Sequence, residues 1–205
     1  KAITAQACAV IAKVARIDWP LGQWEDLFPT LLRYSSSGQG VTSLPGLAAD
    51  SKQEQFKLAN CNKAVMTLNK VLKEFLTMRM PSTKQRYQHI IFDLLPILIS
   101  DFSRHFEFFV KFIRTSMASN TPPESVNENA GLLAEISKNS LKCVYHVFAT
   151  EYESIIVAPS QNDGDSGIFM KNEVTNFMLS IVTWLPAVEE MIHMFPREHS
   201  VEVLL

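Results

Sequence analysis

A chain of 205 residues, 47% apolar and 20% charged, is long enough to bury a core without disulfide or metal staples and too hydrophobic to stay unfolded. Its formal charge of −2, from 19 basic and 21 acidic residues, argues against a dominant nucleic-acid role, because neutralising phosphates needs Lys and Arg gathered over one face. Only Cys8, Cys61 and Cys143 occur, far apart, and no Asn-x-Ser/Thr acceptor is present, which argues against a disulfide framework and fits a reducing compartment.

The first residue, Lys1, enters at once into a helical pattern with no signal-peptide architecture ahead of it, so the chain reads as a piece of a longer one. From Ile3 the apolar positions Ala7, Val10, Ile11 and Val14 recur at three and four residues, the period that predicts one buried helical face. Asp18 is placed to cap a second helix, with Pro20 in its first turn. That helix is expected to run to about Tyr34, carrying Trp24, Leu27, Phe28, Leu31 and Leu32, and to bend at Pro29. Residues 35–53 hold Gly, Ser and Pro without a period and read as a long surface loop.

Leu58, Cys61, Val65, Leu68, Leu72 and Phe75 then step by three and four without a fault, the cleanest periodic run in the chain. Pro81 ends it, and Ser82 with Gln85 has the spacing of a capping box for the next helix. The apolar side of that helix holds Tyr87, Ile91, Leu94, Leu95, Leu98 and Phe102, then Phe106, Phe109, Ile113 and Met117, with a kink or break allowed at Pro96. The stretch Ile90–Ile99 is interrupted by Asp93 and Pro96 and is far short of the roughly 20 residues that span a bilayer. After a loop at 119–126, Ser125 and Glu128 suggest a second capping box. The next apolar face is Leu133, Ile136, Leu141, Val144 and Val147. A polar loop at 158–167 leads to a last helix with Val174, Phe177, Ile181, Trp184, Val188, Ile192 and Phe195, bent at Pro186.

No run alternates apolar and polar residues as a half-buried strand would, so no β-sheet is expected. Helical pairs of roughly 40–60 residues suggest an α-α superhelix, about three units spanning 1–34, 54–118 and 127–195, each burying one face on its neighbours. A closed bundle would give a similar pattern.

Motifs for chemistry are sparse. Cys143-Val-Tyr-His146 has ligand types at helical spacing but lacks a second pair to complete a metal site, and His193 and His199 have no Cys or carboxylate partner at ligand spacing. There is no G-x-S-x-G elbow, and the SSSGQG stretch lacks the Lys-Ser/Thr ending and the preceding strand of a phosphate cradle. The aromatics sit at core spacing without interleaved basic residues. No catalytic, cofactor or metal residue is assigned, and surface recognition is the expectation.

The segment IAKVARIDWPLGQWEDLFPTLL, Ile11 to Leu32, resembles the karyopherin-β (importin-β) family, in which an Ala-rich helix ends in an Arg-x-Asp-Trp-Pro pattern followed by Trp, Leu and Pro. Farther on, NKVLKEFLTMRMPSTKQRYQHI, Asn69 to Ile90, looks like the branch containing importin-eleven. It departs in having Met78 and Met80 around Arg79, and the 35–53 loop is longer than that family carries. The resemblance implies stacked HEAT repeats (a HEAT/armadillo-like solenoid). It also implies a nuclear transport receptor that binds cargo proteins, Ran GTPase and nucleoporins and shuttles between cytoplasm and nucleus, with no nucleic acid and no membrane insertion. It places the second helix of each pair on the concave side, making Glu25, Asp26, Lys84, Arg86, Glu189 and Glu190 candidate partner contacts. An exportin, a HEAT scaffold of a phosphatase or kinase assembly, and a helical enzyme are the rival readings.

Overall fold

The computed structural model describes residues 2–36, 51–78, 80–118, 123–152, 174–184 and 186. All regular structure among them is helical: α1 (Ala2–Asp18), a 3₁₀ turn (Trp19–Leu21), α2 (Leu27–Ser36), α3 (Ser51–Phe75), α4 (Pro81–Ala118), α5 (Pro123–Tyr152) and α6 (174–184). The strongest periodic runs became the core. Each of Leu58, Cys61, Val65, Leu68, Leu72 and Phe75 on α3 is buried, as are Tyr87, Ile91, Leu94, Leu95, Leu98 and Phe102 on α4. Leu133, Ile136, Val144 and Val147 of α5 and Val174 and Phe177 of α6 are buried too, whereas Leu141 is exposed.

The helices form two rows. α3 has α1 on one side and α5 on the other. Cys8 meets Lys63 and Thr67, while Arg16 meets Glu74 and Thr77, so α1 and α3 run parallel. On its other flank, Asn69 donates to Asn139 at 2.8 Å, and Cys143 points at the Val65 carbonyl. The second row is α2, α4 and α6, joined by Ser35 and Ser36 to Asp101 and by Phe177 and Trp184 to Phe102. Contacts of Phe75 with Tyr87 and of Cys61 with His105 set α3 antiparallel to α4. Two rows of alternating helices, each sheltering the next, are the layout of an α-α solenoid.

Several local expectations are corrected. On α1 the buried residues are Cys8, Ala12 and Ala15, while Ala7, Val10, Ile11 and Val14 are exposed. Small side chains let two helix axes approach, and here that fit outweighs the greater hydrophobicity of Val and Ile. Asp18 makes no side-chain capping bond, and Pro20 lies in the 3₁₀ turn, so α2 begins only at Leu27. Pro29 therefore falls in the first turn of α2, where a missing N–H leaves nothing unpaired, and it has no helix interior to bend. Residues 35–36 and 51–53 of the expected loop belong to α2 and α3, and 37–50 lie outside the described residues.

Pro81 starts α4 instead of ending the preceding run ahead of a cap at Ser82. The Lys84 N–H bonds the Met80 carbonyl at 3.0 Å, leaving Ser82 inside the helix and exposed. The Gln85 side chain lies outside the described ones. Likewise α5 begins at Pro123, which puts Ser125 and Glu128 inside it. α4 continues unbroken through Pro96. An interior proline costs about 3 kcal/mol, and burial of neighbouring Leu94, Leu95 and Leu98, at about 1.5–3 kcal/mol each, offsets it. The 158–167 loop, Val188, Ile192 and Phe195 lie outside the described residues, as do the neighbours on which the bend at Pro186 would rest.

Gly22 closes the 3₁₀ turn with φ at 76°, its N–H donating to the Trp19 carbonyl at 3.0 Å. A side chain there is strained in the left-handed region by about 1–2 kcal/mol. Gly131, by contrast, lies within α5 with nothing within 4 Å of an added Cβ. Urea unfolding is expected to show Gly22→Ala destabilised by about 1–2 kcal/mol and Gly131→Ala stabilised by about 0.5–1 kcal/mol. Equal shifts in the two variants would deny the turn its need for glycine.

Candidate functional site

The corner after α1 gathers four of the six sequence-chosen residues. Trp19, buried, meets Phe28 edge-on at 5.6 Å between ring centroids and Phe75 at 5.2 Å, and Phe75 in turn meets Tyr87 at 5.4 Å. The Arg86 guanidinium lies 4.8 Å from the Trp19 ring centroid and donates to the Pro20 carbonyl at 3.2 Å. Such a stacked, partly buried cation contributes about 0.5–2 kcal/mol, so Arg86 holds the corner together. Glu25 and Arg86 both approach Gly22, within 3.8 and 3.6 Å of where a Cβ would stand. Asp26 accepts a bond from the Thr30 hydroxyl at 3.2 Å, and its carbonyl accepts the Thr30 N–H at 2.9 Å, which fixes the start of α2. Lys84 is exposed, one turn into α4, beside a depression of about 250 Å³ that Phe75, Tyr87 and Ala149 also line. Glu189 and Glu190 lie outside the described residues.

A second gathering of polar side chains went unnoticed in the sequence. Helix ends leave their last carbonyls without intrahelical partners. At the end of α2 the Ser35 carbonyl accepts from the Cys61 thiol at 3.0 Å and from His105 Nε2–H at 3.2 Å. A carbonyl only accepts, so His105 carries its proton on Nε2, and Nδ1 accepts from the Ser140 hydroxyl at 2.8 Å. One turn back on α4, the buried Asp101 carboxylate receives the Ser36 hydroxyl at 3.2 Å and pairs with Arg104. The Ser35 hydroxyl lies 2.8 Å from both Asp101 and the Leu32 carbonyl, one proton shared between two acceptors. The signal was present: Asp101 and His105 stand at i and i+4 among Leu98, Phe102, Phe106 and Phe109, polar residues where an apolar seam was due.

Cys61, His105 and Asp101 are the residue types of a nucleophilic triad, but the arrangement differs. The thiol donates to a backbone carbonyl, 3.6 Å from His105 Nε2, and Cys61, Asp101 and Ser140 are all buried. With the ring nitrogen nearest the thiol already carrying a proton, His105 is not poised as a base toward the sulfur. Burial holds the His105 ring below the ordinary imidazole value, with the Asp101 charge and the Ser35 carbonyl opposing and Arg104 adding to the effect. Burial also pushes the Cys143 thiol far up, and Asp101 adds to that, so the sulfur is held as a neutral thiol. Cys143 and His146 do not converge with further ligands: among the described residues no group of three His, Cys, Asp or Glu is placed to hold a metal. No helix is long and apolar enough to cross a membrane among those residues.

No protein-family model, no curated protein and no solved structure matches this chain.

The junction makes stability pH-dependent. Because the folded state depresses the His105 value, the unfolded chain takes the proton more readily. Its contribution is complete above the ordinary value of 6.5 and is lost as pH falls from there through the folded value. His146, lowered by burial and then by Lys73 and Lys142, acts in the same direction. Urea midpoints are therefore expected to drop between pH 7.5 and 5.5 (, a window about one unit to either side of 6.5), and by less in His105→Asn. A variant losing as much as the parent would show that this ring takes no part.

Proposed function

We propose that the protein is a protein-binding solenoid of the karyopherin-β kind, acting in nuclear transport and recognising Ran GTPase, cargo proteins and nucleoporins through exposed helix surfaces, without catalysis. One observation carries the reading. The residues of the family-like motif, Asp18-Trp19-Pro20 through Leu27-Phe28, are those that build the corner, with Trp19 as the buried anchor for Phe28, Phe75 and Arg86. The resemblance thus rests on side chains that join the first helical pair to the second. Two depressions among the described residues are open and lined mainly by apolar surface. One of about 610 Å³ is lined by Arg16, Leu76, Thr77, Met78 and Met80, and another of about 420 Å³ by residues including Phe106, Lys111 and Trp184. Such surfaces suit side chains of a partner protein better than a small substrate, which pockets usually bury almost whole.

The geometry also selects the test. Arg86 and Asp26 hold the corner and the start of α2, so their substitution would weaken the fold along with any interface. Glu25 and Lys84 are exposed and serve better. Immobilised chain is expected to retain Ran bound to GTP in preference to Ran bound to GDP. The Glu25→Lys, Lys84→Glu double variant is expected to bind about tenfold more weakly, since exposed charge pairs contribute about 0.2–1 kcal/mol each. Failure to retain GTP-bound Ran would end the transport reading and favour a HEAT scaffold of another assembly.

A further inference from the structure

The charge of −2 is not spread evenly. α3 is flanked by α1 and α5 and backed by α2 and by side chains of α4, which leaves one side to solvent. At 100° per residue that side carries Lys63, Lys70 and Lys73, at i, i+7 and i+10. The matching side of α1 carries Lys13 and Arg16, and that of α5 carries Lys138 and Lys142, one turn apart. Among the described side chains, seven cations thus share the outer face of the first row with two carboxylates, Glu74 and Glu135, and Glu74 is engaged by Arg16 at 3.2 Å. The helices bring these charges close together: Lys73 from α3 and Lys142 from α5 both act on His146.

We infer that the outer face of the α1–α3–α5 row is a docking surface for an acidic polypeptide segment, held by lysines converging from adjacent helices. Charge complementarity argues for the occupant, since a strongly cationic face on an acidic protein attracts and orients an anionic chain. The residue types select polypeptide over nucleic acid. Phosphates are best gripped by the guanidinium fork, and the one arginine here, Arg16, is committed to Glu74 and Thr77. Base stacking needs several interleaved aromatics, and this face exposes two among the described residues, Phe56 at the start of the α3 stripe and Tyr145 on α5. Lysine ammonium groups on flexible stems suit carboxylates whose spacing varies along an extended peptide. The surface lies on the row opposite to Glu25 and Lys84 and does not depend on the transport reading.

Fluorescence anisotropy of a labelled oligo-glutamate peptide against the full chain tests it. At low salt the parent chain is expected to bind, with affinity falling as salt rises. Lys73→Glu with Lys142→Glu is expected to bind about tenfold more weakly, and Lys73→Gln with Lys142→Gln, which adds no new charge, to weaken in the same direction. Arg33→Glu with Lys111→Glu changes net charge equally, but on exposed positions of α2 and α4, and is expected to bind like the parent. No peptide binding, or equal weakening in both charge-reversed pairs, would overturn the proposal. So would tighter binding of an oligothymidylate of equal charge, which would make the face a nucleic-acid surface.

Discussion

The last carbonyl groups of a short helix must find donors or face water, and at the end of α2 that constraint ties four helices together. The Ser35 carbonyl draws in Cys61 from α3 and His105 from α4, and His105 draws in Ser140 from α5. Beside it a carboxylate is buried almost completely, with Asp101 only 3% exposed. Taking a partner away from a buried charge costs about 3–5 kcal/mol, so Ser35, Ser36 and Arg104 are part of what makes Asp101 tolerable. Sliding α4 by one turn would separate both sets of partners at once. Apolar contacts reward many nearly equivalent packings, but this junction rewards one register, and the two rows are aligned around it.

The aromatic corner performs the corresponding task at the C-terminal end of α3. Trp19, Phe28, Phe75 and Tyr87 touch in a chain of edge-on and tilted rings, which aromatic quadrupoles favour over flat stacks. Arg86 closes the set from above. Corner and junction therefore hold α3 against the second row at its C-terminal end and near its middle, one by burial and one by hydrogen bonds. Between them Asn69 and Asn139 fix α5 laterally, the Asn139 amide also bonding the Glu135 carbonyl at 2.9 Å.

How far the fold was legible follows from which force dominates each element. α3 and α4 bury large aliphatic and aromatic residues, so their periodicity reads directly as their buried faces. α1 buries Cys8, Ala12 and Ala15 and leaves Ile3 82% and Val10 61% exposed. Hydrophobicity ranked the wrong face first because close approach of two helices depends on side-chain size as well as on transfer free energy. A helix apolar on two opposite sides resembles one set inside an array more than one at a surface. Helix starts were misplaced for a local reason: Pro81, Pro123 and Pro29 all sit in first turns, where fixed φ is an asset, and sequence alone does not separate that use from a stop.

The sites were less legible, because charge on a sequence is a sum and charge on a fold is a map. Arg86 reads as a solvent-facing partner residue until Trp19 is placed beneath it, and Asp26 until Thr30 is seen to face it. Conversely, the lysines of α1, α3 and α5 lie in separate stretches of sequence diluted by acidic neighbours, and nothing in their spacing announces that three helices will set them side by side. Stacking does so because each helix in one row presents one side outward, so a modest lysine bias on each is multiplied by the number of helices. Repulsion among the lysines is small while they remain in water and screened by salt. It is relieved when carboxylates arrive, so the face stores little strain in the folded chain and yet discriminates strongly between partners of opposite charge.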